Sequence, residues 1–226
     1  MATKETQKRI LDKAIELFNA HGTANVSANR IADECGLSRG NLYYHFNSKA
    51  MIIQAIYDRI ATEVKCNWVG DLDNPTIGHM LEMFDRQLGL IWQYRFFYRE
   101  LMALLDGDRQ LQQRFGYDRN ERTKVIVDFF AVLIDRNVLL GPGNRKTLEN
   151  LVKLSWILSD NWINYISVDT PDVYPDCVSE GYELLIDLFR PYLTPATLET
   201  LDRHGISSAG RAHLTIVPNR MQLNRS

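Results

Sequence analysis

At 226 residues, 45% of them hydrophobic and 24% charged, the chain can build one mid-sized domain or a small domain with a larger companion. Lys4, Glu5, Lys8 and Arg9 precede any apolar stretch, and Asp128 interrupts the most apolar window, Val125 to Ile134, so neither a signal peptide nor a membrane-spanning helix fits. The formal net charge of −2 averages over unlike segments, +2 for residues 1–65, −8 for 66–202 and +4 for 203–226, so an acidic middle is expected to face away from phosphate.

Apolar residues recur at three-to-four spacing almost everywhere, with no competing strict alternation, and the chain reads as all-α. Ile10, Ala14, Leu17 and Phe18 line one face of a first helix that ends near His21-Gly22, where glycine can take a left-handed cap. Ser27 reads as the N-cap of a short second helix carrying Ile31 and Ala32, and Ser38 as the cap of a third helix running to about His45. A long fourth helix from Asn47 carries Ile53, Tyr57, Ile60 and Val64. These elements give a helix-turn-helix domain over 1–50, with the fourth helix, about 47–69, as connector.

Gly70 to Pro75, rich in Asp and Asn, marks the boundary to a second domain over 70–203. Its helices read as about 75–94, 96–106, 108–140, 144–168, 172–190 and 195–203, separated by Gly141-Pro142-Gly143, Asp169-Thr170-Pro171 and Pro191. A polar, arginine-dotted tail follows over 204–226. Cys35, Cys66 and Cys177 are odd in number and far apart, which argues against a disulfide framework and for a reducing, cytoplasmic setting. No histidine pair stands at metal-ligand spacing, so no metal and no other cofactor is expected.

The segment Val26 to Phe46 has the internal logic of two helices crossing over a tight turn. Ala32 is small at the crossing, Gly36 suits a left-handed turn, and Ile31, Leu37, Leu42 and Phe46 supply a small core. On the third helix Gly40 and Tyr44 then lie opposite the core, with Arg39, Tyr43 and His45 at the flanks. Arginine can fork to guanine or phosphate, glycine lets the backbone approach, and the aromatic residues offer stacking faces with polar tips. The helix starts can hold phosphates, with Ser27, Ser38 and Lys49 beside them. Tyr43 and Tyr44 also suit half-buried structural roles, and His45 a helix-end cap.

Gly40-Asn41-Leu42-Tyr43-Tyr44-His45-Phe46 followed by Ser48-Lys49 resembles the recognition-helix signature of the TetR/AcrR family, and the match extends upstream through Ala14, Phe18 and Gly22. The resemblance implies an N-terminal three-helix DNA-binding domain and a C-terminal helical ligand-binding and dimerisation domain. It assigns operator contact to Ser27, Arg39, Gly40, Asn41, Tyr43, Tyr44, His45 and Lys49. Many relatives have an acid where this chain has Ala50, which implies a slightly weaker start to the fourth helix.

A helix-turn-helix reads few base pairs alone, so a homodimer on double-stranded DNA is expected. Leu154, Ile157, Leu158, Trp162, Tyr165 and Ile166 on one long helix, and Val178, Gly181, Tyr182, Leu185, Ile186 and Phe189 on the next, are the candidate interface; they resemble the family's four-helix dimer bundle. Gly181, costly inside a helix, suggests close approach across the two-fold axis; packing of this face within one protomer is the competing reading. Phe84, Trp92, Phe97, Leu101, Phe129, Trp156 and Asp160 are candidate walls and anchor of a small-molecule pocket, although such aromatic stripes are more often plain core. The function implied is a transcriptional repressor released from a palindromic operator by an effector. The alternative keeps the DNA-binding dimer and gives the C-terminal domain a protein partner. No nucleophile elbow, phosphate loop or dinucleotide fingerprint points to an enzyme.

Overall fold

The computed structural model describes residues 2–67, 75–168 and 176–203. Most of the proposed linker at Gly70 to Pro75, the break at Asp169-Thr170-Pro171, the side chains of Cys66 and Cys177, and the tail over 204–226 lie outside the described residues. Among the described residues every long element is an α-helix, and the lone β-bridge pairs Leu139 with Leu193.

The N-terminal unit comprises α1 (Ala2–His21), α2 (Ala28–Glu34), α3 (Arg39–His45) and α4 (Lys49–Asn67). Ile10, Ala14, Leu17 and Phe18 of α1 are buried, and they meet Ile31 and Ala32 of α2, Leu42 of α3, and Ile56, Tyr57 and Ile60 of α4 in one core. The Ser27 hydroxyl accepts from the Arg30 N–H at 3.1 Å, and that of Ser38 from the Asn41 N–H at 3.2 Å, so both caps form as the sequence predicts. Helix α4 needs no acid at position 50, because the Ser48 hydroxyl accepts from the Met51 N–H at 3.2 Å and caps its start. Gly22 closes α1 at φ +75°, and a Cβ there would stand 2.9 Å from a Glu100 carboxylate oxygen, so both conformation and space call for glycine.

The C-terminal body comprises α5 (Ile77–Gln93), α6 (Arg95–Arg99), α7 (Leu101–Gly107), α8 (Arg109–Asp135), α9 (Arg145–Ile166), α10 (Asp176–Phe189) and α11 (Pro195–Arg203), with a 3-10 turn at Arg190–Tyr192. Helices α5, α8, α9 and α10 surround its core. There Phe189 stacks on Phe130 at 4.6 Å between centroids and leans on Phe84 at 5.4 Å.

Two helix limits differ from the sequence reading. The helix predicted over 96–106 is broken at Glu100, whose carboxylate accepts from both the backbone N–H and the hydroxyl of Thr23, 77 positions earlier. The helix predicted over 108–140 ends at Asp135, where Asn137 turns left-handed at φ 55° and the Val138 N–H closes back on the Leu133 carbonyl at 2.9 Å. The chain released there pairs with the segment after α10, the Leu140 N–H donating to the Tyr192 carbonyl at 2.7 Å.

Polar ties bind the two regions together. Asn19 of α1 donates to the Gln93 carbonyl at 2.9 Å and accepts from the Phe96 N–H at 3.0 Å, so it clasps the start of α6. The Tyr57 hydroxyl of α4 donates to Asp118 of α8 at 2.8 Å, and Gln54 donates to Asp108 at 2.7 Å. The Leu111 N–H, which also donates to Asp108 at 3.0 Å, and then the Gln54 amide hold the Asp108 carboxyl below its ordinary range.

Candidate functional site

Helix α3 buries only Leu42 and turns the rest of its surface outward. Arg39, Gly40 and Asn41 are exposed, Tyr43 is 44% and Tyr44 78% exposed, and nothing lies within 4 Å of the position a Gly40 Cβ would occupy. Neither tyrosine therefore serves as buried packing. His45 is half-buried, edge-on to Tyr44 at 5.2 Å, and its Nδ1 is buried without a hydrogen-bond partner. A protruding face two helical turns long, with one fork-shaped cation, two aromatic alcohols and a bare backbone, has the dimensions and chemistry to enter a major groove.

The flanking residues are less free than the sequence suggests. Ser27 and Ser38 spend one acceptor each on their caps. Lys49 does not project: it is half-buried, and its ammonium donates to the Thr23 carbonyl at 2.7 Å, joining the start of α4 to the loop before α2. Arg30 of α2, which the sequence reading passed over, meets His21 of α1 at 2.9 Å on the same end of the unit.

The expected dimer surface divides in two. Trp162, Tyr182, Leu185 and Phe189 are buried within the protomer and have almost no surface to give a partner, which corrects their assignment. Gly181 is explained inside the protomer as well: a Cβ would stand 2.6 Å from the Trp162 indole, so it lets α10 close on α9. Val178 is half-buried and helps to line a hollow of about 10 Å³ beside Trp92 and Trp162. What stays outward is Leu154, Ile157 (60% exposed) and Tyr165 (69% exposed) with half-buried Leu158 on α9, Val168 just after it, and Leu184 on α10. Ile157, expected there, stands outward one turn from Leu154, whereas Leu184 was missing from the expected set.

Of the expected pocket residues, Phe84 and Trp156 line a cavity of about 20 Å³ between α5, α8, α9 and α10. Trp92 borders the smaller hollow just described. Phe97 instead stacks on Tyr57 at 5.6 Å under the N-terminal unit, Phe129 packs edge-on to Phe130, and Leu101 is a partly buried neighbour of the core. None of these three lines the cavity. Asp160 lies one turn beyond Trp156, its Oδ1 sealed from solvent and unpartnered; burial pushes its carboxyl up to about 7, against the pull of Arg122 and Arg119. Arg122 lies over the Trp156 ring at 4.7 Å.

The sequence reading missed Gln87, Ser155 and Ser159 on the cavity wall. Gln87 was readable as the polar residue inside the apolar stripe Met80, Met83, Phe84, Leu88 and Ile91. A larger open groove of about 410 Å³ runs between α4 and α8, but Arg114 pairs there with Asp58, and Asp118 with Tyr57. Among the described residues no group of acids, histidines and cysteines could hold a metal ion, and no helix is long and apolar enough to cross a membrane.

Residues 10–56 match the family described as "Bacterial regulatory proteins, tetR family", and residues 69–201, more than half of the chain, match the one described as "Bacterial transcriptional repressor". The chain is 27% identical over 135 residues to the HTH-type transcriptional regulator AcrR of Shigella flexneri, covering 53% of this chain and 63% of that protein. It is 43% identical over 53 residues to the uncharacterized HTH-type transcriptional regulator TtgW of Pseudomonas putida, covering 24% of this chain and 40% of that one. The matches thus span less than two thirds of the length of these curated relatives. A TetR-family transcriptional regulator from Marinobacter aquaeolei has the same fold at a TM-score of 0.80, 30% identical over 88% of this chain and 98% of its own. The ketosteroid transcriptional regulator KstR2 of Mycobacterium tuberculosis, 17% identical with a TM-score of 0.60 over 83% of this chain, shares the fold alone. Both regions of the molecule are thereby accounted for, and the chain belongs to the TetR/AcrR family of DNA-binding transcriptional regulators.

Proposed function

We propose that the protein is a homodimeric repressor that holds a palindromic operator through α3 and is released when a small effector enters the body. The observation that carries this reading is the outer face of α3, where Arg39, Gly40, Asn41, Tyr43 and Tyr44 are all exposed on a helix capped at its start. Two copies joined along the apolar strip of α9 and α10 would present two such helices to successive major grooves. Effector binding favours a conformer in which those helices are misplaced, and affinity falls by the differential binding energy. The clasp of Asn19 and Thr23 on α6, and the Tyr57–Asp118 bond from α4 to α8, are the links that would carry the movement.

Site selection from random duplex DNA, followed by titration of the winning site at several salt concentrations, tests the reading. The expected outcome is an inverted repeat bound by a dimer, with affinity falling steeply in salt. Tyr43→Ala is expected to weaken binding without lowering stability. Lys49→Ala is expected to weaken it too, but with some loss of stability, because it also removes the bond to Thr23. Unselective binding of all duplexes, or full affinity in both variants, would sink the assignment.

A second reading gives the body a protein partner in place of a small ligand. One observation favours it: among the described residues, the two hollows beside Trp156 and Trp162 measure only about 20 and 10 Å³, far below the several hundred Å³ of an ordinary ligand pocket. Operator release by small compounds alone would decide against it.

A further inference from the structure

We propose that the cavity between α5, α8, α9 and α10 takes an uncharged, flat, mainly apolar ligand bearing a hydrogen-bond donor beside an acceptor, as lactams and carboxamides do. Gln87 is the residue that reads that edge. The inference rests on the effector reading above and names the chemistry the effector must have.

Gln87 is only 6% exposed, and neither its amide oxygen nor its amide nitrogen has a partner among the described residues. Both atoms are orphaned, so the assignment holds whichever way the amide is turned. Buried polar groups are nearly always paired, and one left bare in a core is costly. The group that satisfies a primary amide best is another amide edge, which returns a donor for its oxygen and an acceptor for its nitrogen.

The surroundings narrow the class. Phe84, Phe130 and Trp156 supply ring surface for a flat body. The Trp156 indole N–H is also buried and unpartnered, a second donor for a ligand acceptor. Ser155 and Ser159 donate to the carbonyls of Val152 (2.7 Å) and Ser155 (2.8 Å), so their hydroxyl oxygens keep only acceptor capacity. No charged residue lines the cavity, and Arg122 and Asp160 adjoin Trp156 without reaching its wall, so an ion would enter without a counter-charge.

At about 20 Å³ the cavity has room for about one water, and a ligand must part its walls. Phe84 and Phe130 both pack on Phe189, so a ligand that separates them moves α5 and α8 against α10. Helix α8 also carries Asp118, the partner of Tyr57 on α4. Occupation of this cavity is therefore mechanically connected to the DNA-reading unit.

Four probes of similar size separate the chemistries: 2-quinolone with the lactam edge, naphthalene without it, N-methylquinolinium as cation and 2-naphthoate as anion. Equilibrium dialysis against the full chain is expected to show 2-quinolone binding at least about tenfold more tightly than the other three. In Gln87→Leu the preference over naphthalene is expected to disappear, with the melting midpoint equal to or above that of the parent, since leucine fills a similar volume without a bare amide. Gln87→Met replaces it if the leucine variant does not fold. A preference that survives the substitution, an ion that binds best, or no lactam binding at about 1 mM overturns the proposal. Operator release on the same samples separates the two readings. Gln87-dependent lactam binding without release keeps the ligand class and removes the effector role, whereas release by probes that ignore Gln87 keeps the effector role and removes the ligand class.

Discussion

The helix-turn-helix unit and the body behind it treat their polar atoms in opposite ways. In the first, the hydroxyls of Ser27, Ser38 and Ser48 each accept from a backbone N–H at a helix start, and the polar side chains left over stand in solvent on α3. Only the His45 Nδ1 is buried there without a partner among the described residues. In the body, atoms of Gln87 and Trp156 are buried unpartnered on the wall of one cavity, and so are atoms of Asp160 and Arg122 next to Trp156, behind that wall. The contrast separates two kinds of function. A surface that reads a fixed duplex benefits from a frame in which every local choice agrees, whereas a site that must respond keeps some conflict in reserve.

If that division is right, stability and DNA affinity respond to different residues. Phe189→Ala removes the ring that stacks on Phe130 and leans on Phe84, and is expected to cost about 3–5 kcal/mol in denaturant unfolding. Tyr44→Ala, at 78% exposure, is expected to change stability by no more than about 0.5 kcal/mol while operator affinity collapses. The pair also checks the corrected interface. Were Phe189 a dimer contact, its loss would dissociate the protein into folded monomers, visible in sedimentation, instead of lowering the unfolding midpoint of the protomer.

The next effect tests the reserve of conflict in the body directly. Burial raises the Asp160 carboxyl from 3.8 to about 7, so the folded state holds that proton more tightly than the unfolded chain does. The stability this contributes is fully present below about pH 4 and is lost as pH rises through about 7. Asp160→Asn keeps the shape and cannot ionise. Its melting midpoint is expected to gain on the parent as pH rises between those limits, to about 4 °C or more at pH 8, and to hold that lead above it. A difference that does not vary with pH would mean that Asp160 is solvated or fully paired.

How much of this could be read from the sequence follows the same division. The two caps, the left-handed Gly22 and the buried stripe Ile10, Ala14, Leu17 and Phe18 depend on neighbours within a turn or two, and all were legible. The break at Glu100 was not, because its partner Thr23 lies 77 positions away and no local signal marks it. The inward half of the expected dimer surface was illegible for another reason. Helix α9 carries large apolar residues on its outward face as well as its inward one, so spacing alone cannot say that Trp162 turns inward while Ile157 and Tyr165 turn out. Gly181 was rightly singled out as a close approach, but the surface it approaches is Trp162 of its own protomer. Gln87 was within reach, since one polar residue in an apolar stripe is the mark of either a satisfied bond or a waiting site.

The smallest effect compares one residue type in both regions. The Ser38 hydroxyl accepts from the Asn41 N–H and satisfies a helix end that has no other side-chain cap, so Ser38→Ala is expected to cost about 1 kcal/mol. Helix α3 has seven residues and one buried side chain, Leu42, so that loss falls on local fraying of the DNA-reading surface, and operator affinity should drop by a larger factor than global stability. The Ser155 hydroxyl donates to a carbonyl within its own helix, at Val152, a bond that competes with the helix ladder, so Ser155→Ala is expected to change stability by less than about 0.5 kcal/mol. Urea unfolding of the two variants beside operator titration reads both quantities at once. Equal losses in the two would show that the serines of the body are as tightly employed as the caps, and that the bare polar atoms around Gln87 are an isolated defect and not the mark of a responsive site.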